Sequence, residues 1–350
     1  MMESRQELLV SWIKQIFPKS EAQLNFALVS GDASFRKYYR VSVEQQNFIA
    51  VDAPPSREDS KNFVRICNLL RRASVKAPKV FSNNYEAGFM LLEDFGDDTY
   101  LKILENLRNQ NDFNKINYLY KSAINALLNI QANVDKETLD YYSREKLNQE
   151  MSLFEDWFCL NYLELDLDDR SRKIISEARA FLENAALDQL QVPVHRDYHS
   201  RNLMVLDQEF FSESMEPGVI DFQDAVVGPY TYDLVSLLRD AYIFWDKKQV
   251  EQWALYYFKN ALSLGGIEKV DQAQFYRDFD LMGLQRQMKV IGIFARLAIR
   301  DNKPDYLADI PLVIRYFLEV GQRYTELKPF IHWFEKTVIP VAGTKIDLTC

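Results

Sequence analysis

The sequence predicts an α+β chain of two unequal lobes, with a small β-rich N-terminal lobe over residues 1–96 and a larger, mostly helical C-terminal lobe over 97–350. Three observations predict it. Short apolar or alternating runs bounded by turn residues cluster between Asn25 and Leu92. Apolar residues recur at helical spacing through most of the chain after Thr99. Between the two regions, Glu93-Asp94-Phe95-Gly96-Asp97-Asp98 breaks both patterns with polar residues and a glycine.

Taken in order, the first element is a helix carrying Leu8, Leu9, Trp12, Ile13 and Ile16 on one face. Charges are scattered through this stretch and it has no long apolar run, so it reads as a packing helix rather than a signal peptide or a membrane anchor. Asn25–Val29 and Arg36–Val43 read as strands joined by a tight turn, and Phe48–Asp52 as a third. A strand–turn–strand brings backbone N–H groups and small side chains against phosphate oxygens, which makes Ser30, Gly31 and Ser34 candidate nucleotide contacts. An ordinary β-hairpin explains the same residues. Arg36, Lys37 and Arg40 follow. With a period of two, Arg36 and Arg40 share a face that excludes Lys37, so only one set faces inward; a solvated strand face is the other reading. Arg57–Ala73, with Phe63, Ile66, Leu69 and Leu70 at helical spacing, is the one large helix of this lobe. Val80-Phe81 and Phe89–Leu92 complete the strands.

Past Thr99, Leu101, Ile103, Leu104 and Leu107 open a helix, and Tyr118, Ala123, Ile124, Leu127 and Leu128 a second. Arg144–Tyr162 is a third, placing Glu150, Phe154 and Trp157 on one face. An acid beside an aromatic ring suits a sugar, with Glu150 on its hydroxyls and Trp157 stacked on the ring. A core stripe with a carboxylate at its rim fits equally. Leu281–Arg300 is a further helix with Leu284, Met288, Ile291, Ala295, Ala298 and Ile299 on its apolar side. Its Arg286, Lys289, Arg296 and Arg300 fall within an arc of about 80° at roughly 100° per residue. That basic face either meets an anionic group of a substrate or is solvated. The tail after Pro340 is expected to pack poorly.

The stretch from Val192 to Asp224 carries the chemistry. In V-P-V-H-R-D-Y-H-S-R-N-L-M-V-L, Asp197 precedes Asn202 by five residues, and G-V-I-D-F-Q-D places Asp221 nineteen residues after Asn202. Apolar runs on either side read as short strands. Phosphoryl transfer needs a carboxylate to accept the proton of an attacking hydroxyl and oxygen ligands to hold Mg²⁺ on nucleotide phosphates. Asp197 fits the first role; Asn202 and Asp221 fit the second. His195 and Arg196 shape the loop, and His199 is structural, since three histidines with no ligand cluster make no metal site. Arg201, Gln223 and Asp224 stand next to these groups as candidate substrate contacts, with Glu150, Trp157, Arg286 and Lys289. Asp233, opening an apolar-periodic helix, caps that helix or braces the loop.

The pattern of His195, Asp197, Asn202, Ile220 and Asp221, followed by G-P-Y-T-Y-D-L from Gly228 to Leu234, resembles the aminoglycoside phosphotransferase and choline kinase group, relatives of the protein kinases. Within that group, G-D-A-S-F-R-K-Y-Y-R, V-D-A-P-P, L-L-E-D-F-G-D-D, H-R-D-Y-H-S-R-N-L-M and G-L-Q-R-Q-M-K-V-I-G-I-F-A-R-L are similar to the anomeric sugar kinases that phosphorylate N-acetylmuramate and N-acetylglucosamine at C1 in cell-wall recycling. The resemblance implies a protein-kinase-like fold, ATP and Mg²⁺ as cofactors, and a hinge whose backbone at Glu93, Asp94 and Phe95 recognises adenine. It also implies a small-molecule acceptor, because no long activation segment closing in A-P-E follows Asp221. The chain departs from the kinase pattern at Ile49-Ala50-Val51-Asp52, where V-A-I-K would supply a phosphate-pairing lysine. Other acceptors, an aminoglycoside or a choline-type amino alcohol, and a nucleotide-binding scaffold without catalysis are the alternatives.

Composition bounds the rest. Hydrophobic residues make up 47% and charged residues 27%, an ordinary globular balance, and a net charge of −9 argues against a general nucleic-acid binder. Cys67, Cys159 and Cys350 are odd in number and form no C-x-x-C, which points to a reducing, cytoplasmic setting. A small amino sugar is the expected partner, with no nucleic acid and no membrane. The sequence leaves the oligomeric state open; a monomer fits.

Overall fold

The computed structural model describes residues 4–18, 25–30, 35–206 and 215–348. Helix α1 (Arg5–Ile16) starts on a capping box in which the Ser4 hydroxyl accepts from the Glu7 N–H and the Glu7 carboxylate accepts from the Ser4 N–H. A five-stranded antiparallel sheet follows, made of β1 (Asn25–Ser30), β2 (Lys37–Val43), β3 (Gln46–Asp52), β4 (Val80–Asn84) and β5 (Phe89–Glu93) in the order β1-β2-β3-β5-β4. The β2–β3 hairpin turns on Glu44 and Gln45, whose φ angles of +48° and +69° suit a two-residue connection between twisted strands. Helix α2 (Ser60–Arg72) is capped by the Asp59 carboxylate and covers the other face of the sheet.

The alternation of side chains decides which residues reach the cleft. Tyr39, Val41, Val43, Phe48 and Ala50 pack against Leu9 and Ile13 of α1. Val51, Met90 and Leu92 pack on the opposite side with Phe63, Ile66 and Leu70 of α2. Asp52 shares its parity with Ala50, and its carboxylate accepts from Arg5 Nε of α1 at 2.8 Å. This corrects the expectation that Asp52 stands in the place of a cleft lysine: it faces away, and β3 offers the cleft side Asn47, Ile49 and Val51, none of them a cation. Arg36, expected inside the second strand, sits one residue before β2, on the face of Tyr38 and Arg40.

Between Glu93, the end of β5, and Tyr100 the chain passes through Gly96 at φ +82° and becomes helical. Helices α3 (Tyr100–Asn109), α4 (Phe113–Asn133) and α5 (Arg144–Leu153) come first, and α5 runs directly into a π-helical segment at Phe154–Tyr162. After α6 (Asp169–Leu187), four short strands frame the catalytic segment. These are β6 (Gln191–Val194), β7 (Leu203–Met204), β8 (Gly218–Val219) and β9 (Val226–Pro229), paired β6 with β9 and β7 with β8. Helices α7 (Tyr232–Leu238), α8 (Lys247–Ser263), α9 (Gln272–Arg300), α10 (Ile310–Gly321), α11 (Lys328–Trp333) and α12 (Ile339–Lys345) complete the chain. One hydrophobic core joins α2 to α3, α4, α7 and α8, and a second surrounds α9. No helix of the described residues is long and apolar enough to cross a membrane.

Helix α9 is the central beam, buried on nearly every side from Asp278 to Leu297. It crosses the α5–π junction at Gly292, where a Cβ would lie 2.3 Å from the Leu153 carbonyl carbon and 2.4 Å from the Phe154 nitrogen. Both atoms are backbone, so no rotamer relieves the contact. Gly292→Ala should therefore cost roughly 1–3 kcal/mol or more through overpacking, overriding the ~1 kcal/mol that alanine gains in a helix. Chemical denaturation of the two proteins checks this, and a more stable alanine variant would contradict the crossing. The tail also differs from expectation. Ala342 is buried, and Lys345 Nζ donates to the Tyr162 carbonyl at 2.7 Å, so the residues after Pro340 are anchored on the π-helical segment.

Candidate active site

The β6–β9 pair and the β7–β8 pair hold the two ends of the catalytic segment side by side. At the end of β6 the chain bends sharply, with Arg196 at φ +79°. The bend is held by Asp233 in the first turn of α7, whose two carboxylate oxygens accept from the His195 N–H at 2.6 Å and the Arg196 N–H at 2.9 Å. Asp233 is fully buried, and burial pushes its pKa up to about 6. It therefore braces the loop; Thr231 occupies the N-cap position. His195 is neutral, its pKa lowered by burial. Its Nδ1 accepts from the Asp197 N–H at 3.3 Å, which leaves the proton on Nε2 to donate to the Ile220 carbonyl at 3.0 Å. That one imidazole ties the Asp197 bend to the Asp221 bend.

The three residues chosen for chemistry converge. Asn202 Nδ2 donates to the Asp197 carbonyl at 2.9 Å and to Asp221 Oδ2 at 3.3 Å, and the Ile220 N–H donates to the Asn202 carbonyl at 3.1 Å. Asp221 itself sits at φ +62°, and Gln223 Nε2 donates to its Oδ1 at 3.0 Å. Burial first, and then the Asp197 charge, raise the pKa of Asp221. Burial also opposes ionisation of Asp197, but Lys289, His199, Arg196 and Arg286 overcome it and hold its pKa down to about 2. Two carboxylates and an amide oxygen at close quarters form a hard-oxygen donor set that favours a divalent cation. Among the described residues no cluster of three or more His, Cys, Asp or Glu side chains could hold a metal by itself. Asn202 and Asp221 are thus a partial set, with the remaining positions left for phosphate oxygens and water, which fits Mg²⁺ on a nucleotide.

Behind the loop lies a buried ion network. Glu150 on α5 pairs with Arg196, lies 3.0 Å from Lys289 Nζ of α9, and accepts from the Tyr142 hydroxyl. Lys289 also donates to the Tyr232 hydroxyl at 3.0 Å. Glu150 and Lys289, read from sequence as substrate candidates, are here engaged with each other. Trp157 is half-buried against the α9 core. Arg201 stacks on the Tyr242 ring at 3.7 Å, and the Asp224 carboxylate is exposed beside the loop, 4.0 Å from Arg196. On α9, Lys289 is paired to Glu150 and Arg300 to Asp301 at 2.8 Å. Arg286 differs: it is 5% exposed, its charge acts on Asp197 and His199, and it makes no ion pair among the described residues.

At the hinge, the Glu93 N–H donates to the Lys79 carbonyl at 2.8 Å, so its donor is taken. The Asp94 carboxylate accepts from Arg40 Nη2 at 2.9 Å and from the Gly96 N–H at 2.9 Å, and the Phe95 ring packs on Gly218. Arg40 is further neutralised by Asp97 at 2.8 Å. Gly31 and Ser34, and the side chain of Ser30, lie outside the described residues; Lys37 is exposed, opposite Asp52.

Sequence reasoning missed two residues of this site. Asp240 is buried and accepts from the Ser200 N–H at 2.9 Å and the Tyr242 N–H at 3.0 Å, holding the far side of the catalytic loop. Glu58 pairs with Arg36 Nη2 at 2.8 Å. Neither has a local signal for its role at the site: Asp240 reaches Ser200 and Glu58 reaches Arg36, each partner more than twenty positions away in the chain.

A model of the family described as "Phosphotransferase enzyme family" matches residues 25–272. The chain is 40% identical over 298 residues to a protein of Pseudomonas putida named N-acetylmuramate/N-acetylglucosamine kinase, spanning 85% of this chain and 84% of that protein. It is 35% identical over 326 residues to a protein of the same name from Neisseria meningitidis serogroup B, spanning 93% of each. The fold is similar to that of the ADP-bound aminoglycoside phosphotransferase APH(2'')-Ib, with a TM-score of 0.57 at 15% identity over 88% of this chain and 97% of that one.

Proposed function

The chain belongs to the phosphotransferase enzyme family, and from that premise we propose that it transfers the γ-phosphoryl group of ATP to the anomeric C1 hydroxyl of N-acetylmuramate and N-acetylglucosamine. It is a kinase of small-molecule hydroxyl groups with a two-lobed, kinase-like architecture. The convergence of Asp197, Asn202 and Asp221 supports the reading: Asn202 Nδ2 donates both to the Asp197 main chain and to the Asp221 carboxylate, as expected if Asp197 is the proton acceptor and Asn202 with Asp221 the cation site.

When bound, Mg²⁺ spreads the charge of the nucleotide phosphates and the nucleotide supplies the phosphoryl group. The Asn202 side-chain oxygen and the Asp221 carboxylate would hold that cation. Asp197 accepts a hydrogen bond from the attacking hydroxyl, fixes its direction, and takes its proton as the new P–O bond forms. An anomeric hydroxyl is more acidic than an ordinary alcohol, so a carboxylate with a low pKa suffices. The main chain of Asp94 and Phe95, which makes no hydrogen bond to another described residue, is the proposed adenine contact; Gly96 would mark the boundary of the lobes. ATP as donor places the reaction in the cytoplasm.

Arg286 supports an anionic acceptor. A buried guanidinium without an ion pair is expensive to keep unless a ligand completes it, and the lactyl carboxylate of N-acetylmuramate is such a group. N-acetylglucosamine lacks it. Arg286→Gln should therefore lower kcat/KM for N-acetylmuramate by about 10- to 100-fold, the worth of a charge-assisted hydrogen bond, and change the value for N-acetylglucosamine much less. Equal losses on both sugars would assign Arg286 to the phosphoryl group or to the loop. The position of transfer is checked on the product: a phosphate at C1 is stable to alkali and labile to acid, whereas one on another hydroxyl survives acid.

A further inference from the structure

A phosphate-pairing cation is expected at a site of this kind, and β3 cannot supply it. Its cleft face carries Ile49 and Val51, and Asp52 is turned to the opposite side and held by Arg5. On β2, Arg40 faces inward but is neutralised by both Asp94 and Asp97 at the hinge. We propose that Arg36, entering from the start of β2 and clamped by Glu58, is the cation that pairs with the nucleotide phosphates, and that Glu58 is its positioning residue.

The placement rests on five contacts. Arg36 lies two residues before Tyr38, on the same inward face, and is 5% exposed. Its Nη2 is 2.8 Å from Glu58 Oε2, and Glu58 also accepts from the Phe35 N–H at 3.2 Å, so one carboxylate fixes both the guanidinium and the main chain leading into β2. The guanidinium stacks over the Phe63 ring of α2 at 5.5 Å. Phe63 in turn packs on Phe222 at 5.0 Å, and Asn62 Nδ2 donates to the Gln223 carbonyl at 2.9 Å. Arg36 is thereby docked, through α2, against the residues that immediately follow Asp221. The charge of Arg36 acts on Asp221 itself, which agrees with that docking. Arg36, just before β2, and its carboxylate partner Glu58, just before α2, are thus tied through Phe63 and Asn62 to the stretch that follows Asp221. A guanidinium carries five N–H donors in a planar fork, so a carboxylate partner and phosphate oxygens can share it.

The inference rests on the kinase reading only for its use of ATP, so the test reads nucleotide binding rather than sugar turnover. Affinities of the full-length protein for Mg·ATP and for adenosine are measured by calorimetry, for the wild type and for Arg36→Gln, Arg36→Lys and Glu58→Gln. The account expects Arg36→Gln to lose about 10- to 100-fold in Mg·ATP affinity with adenosine affinity held within about twofold. Glu58→Gln should show a smaller loss of the same selectivity, and Arg36→Lys should recover part of it. If Arg36→Gln fails to fold, Glu58→Gln and Arg36→Lys carry the same comparison. Unchanged preference for ATP over adenosine in the variants, or equal losses for both ligands, would overturn the assignment. Sugar phosphorylation absent in the wild type, with ATP selectivity still dependent on Arg36, would sink the acceptor reading and leave this one standing.

Discussion

Asp197→Asn should lower kcat by about 10²- to 10⁴-fold, the range that a positioned proton acceptor contributes, with the protein folded and Mg·ATP still bound. The expectation follows from what surrounds the carboxylate. Asp197 is held at its main chain by Asn202 and by the His195 ring, neither of which depends on its side-chain charge. An asparagine can occupy the same bend. What it cannot do is take a proton, and it presents an N–H₂ group where the attacking hydroxyl needs an acceptor. Phosphoryl transfer proceeds with little bonding to the nucleophile in the transition state, so much of the effect comes from lost orientation as well as lost basicity. Steady-state kinetics with direct ATP titration separate the two outcomes. A variant with near-native turnover would remove Asp197 from the mechanism, and loss of nucleotide binding along with turnover would make it a structural residue.

Removing Glu150 should have the largest effect on stability. Its carboxylate is the shared partner of two buried cations, Arg196 and Lys289, and of the Tyr142 hydroxyl. Glu150→Ala leaves both charges without that partner in a buried setting, which costs about 3–5 kcal/mol. Glu150→Met combined with Lys289→Met should recover part of the loss by removing one of the stranded charges. The pH dependence has a definite sign. Burial raises the pKa of Glu150, but Lys289 and Arg196 lower it further, so the net shift is downward from 4.5. A carboxylate with a depressed folded-state pKa contributes stability that is present above about 4.5 and lost as the pH falls through the lower folded value. The wild type should therefore destabilise more steeply on acidification than Glu150→Gln, which cannot titrate. Chemical denaturation across that window reads both effects. A Glu150→Ala protein within about 0.5 kcal/mol of wild type would show that the network is not what holds α5, α9 and the catalytic loop together.

The parts of this account that were legible in the sequence are those set by local spacing. Asp197 and Asn202 are five residues apart on one bend, and the strand pair Leu203–Met204 with Gly218–Val219 fixes where Asp221 must return. The helices were legible because their apolar residues repeat with the helical period, as in Leu101, Ile103, Leu104 and Leu107 of α3. The face of β3 was not. Ile49-Ala50-Val51 is apolar throughout, so nothing in it says which residue points to α1 and which to the cleft, nor that Asp52, at the position of the kinase lysine, turns toward Arg5. The partnerships across elements were illegible for a different reason. Glu150 meets Arg196 and Lys289, and Arg36 meets Glu58, only after separate helices and strands have docked. The basic arc on α9 was visible, but which of its charges are already paired depends on Glu150 and Asp301.

The most direct test of the central claim is acceptor-dependent ADP release from Mg·ATP with N-acetylmuramate, N-acetylglucosamine, kanamycin and choline offered separately to the purified protein. The account predicts turnover on the two N-acetylated sugars and an acid-labile phosphate in the product. Turnover on kanamycin or choline alone, or no acceptor-dependent release from a protein that still binds ATP, would contradict it.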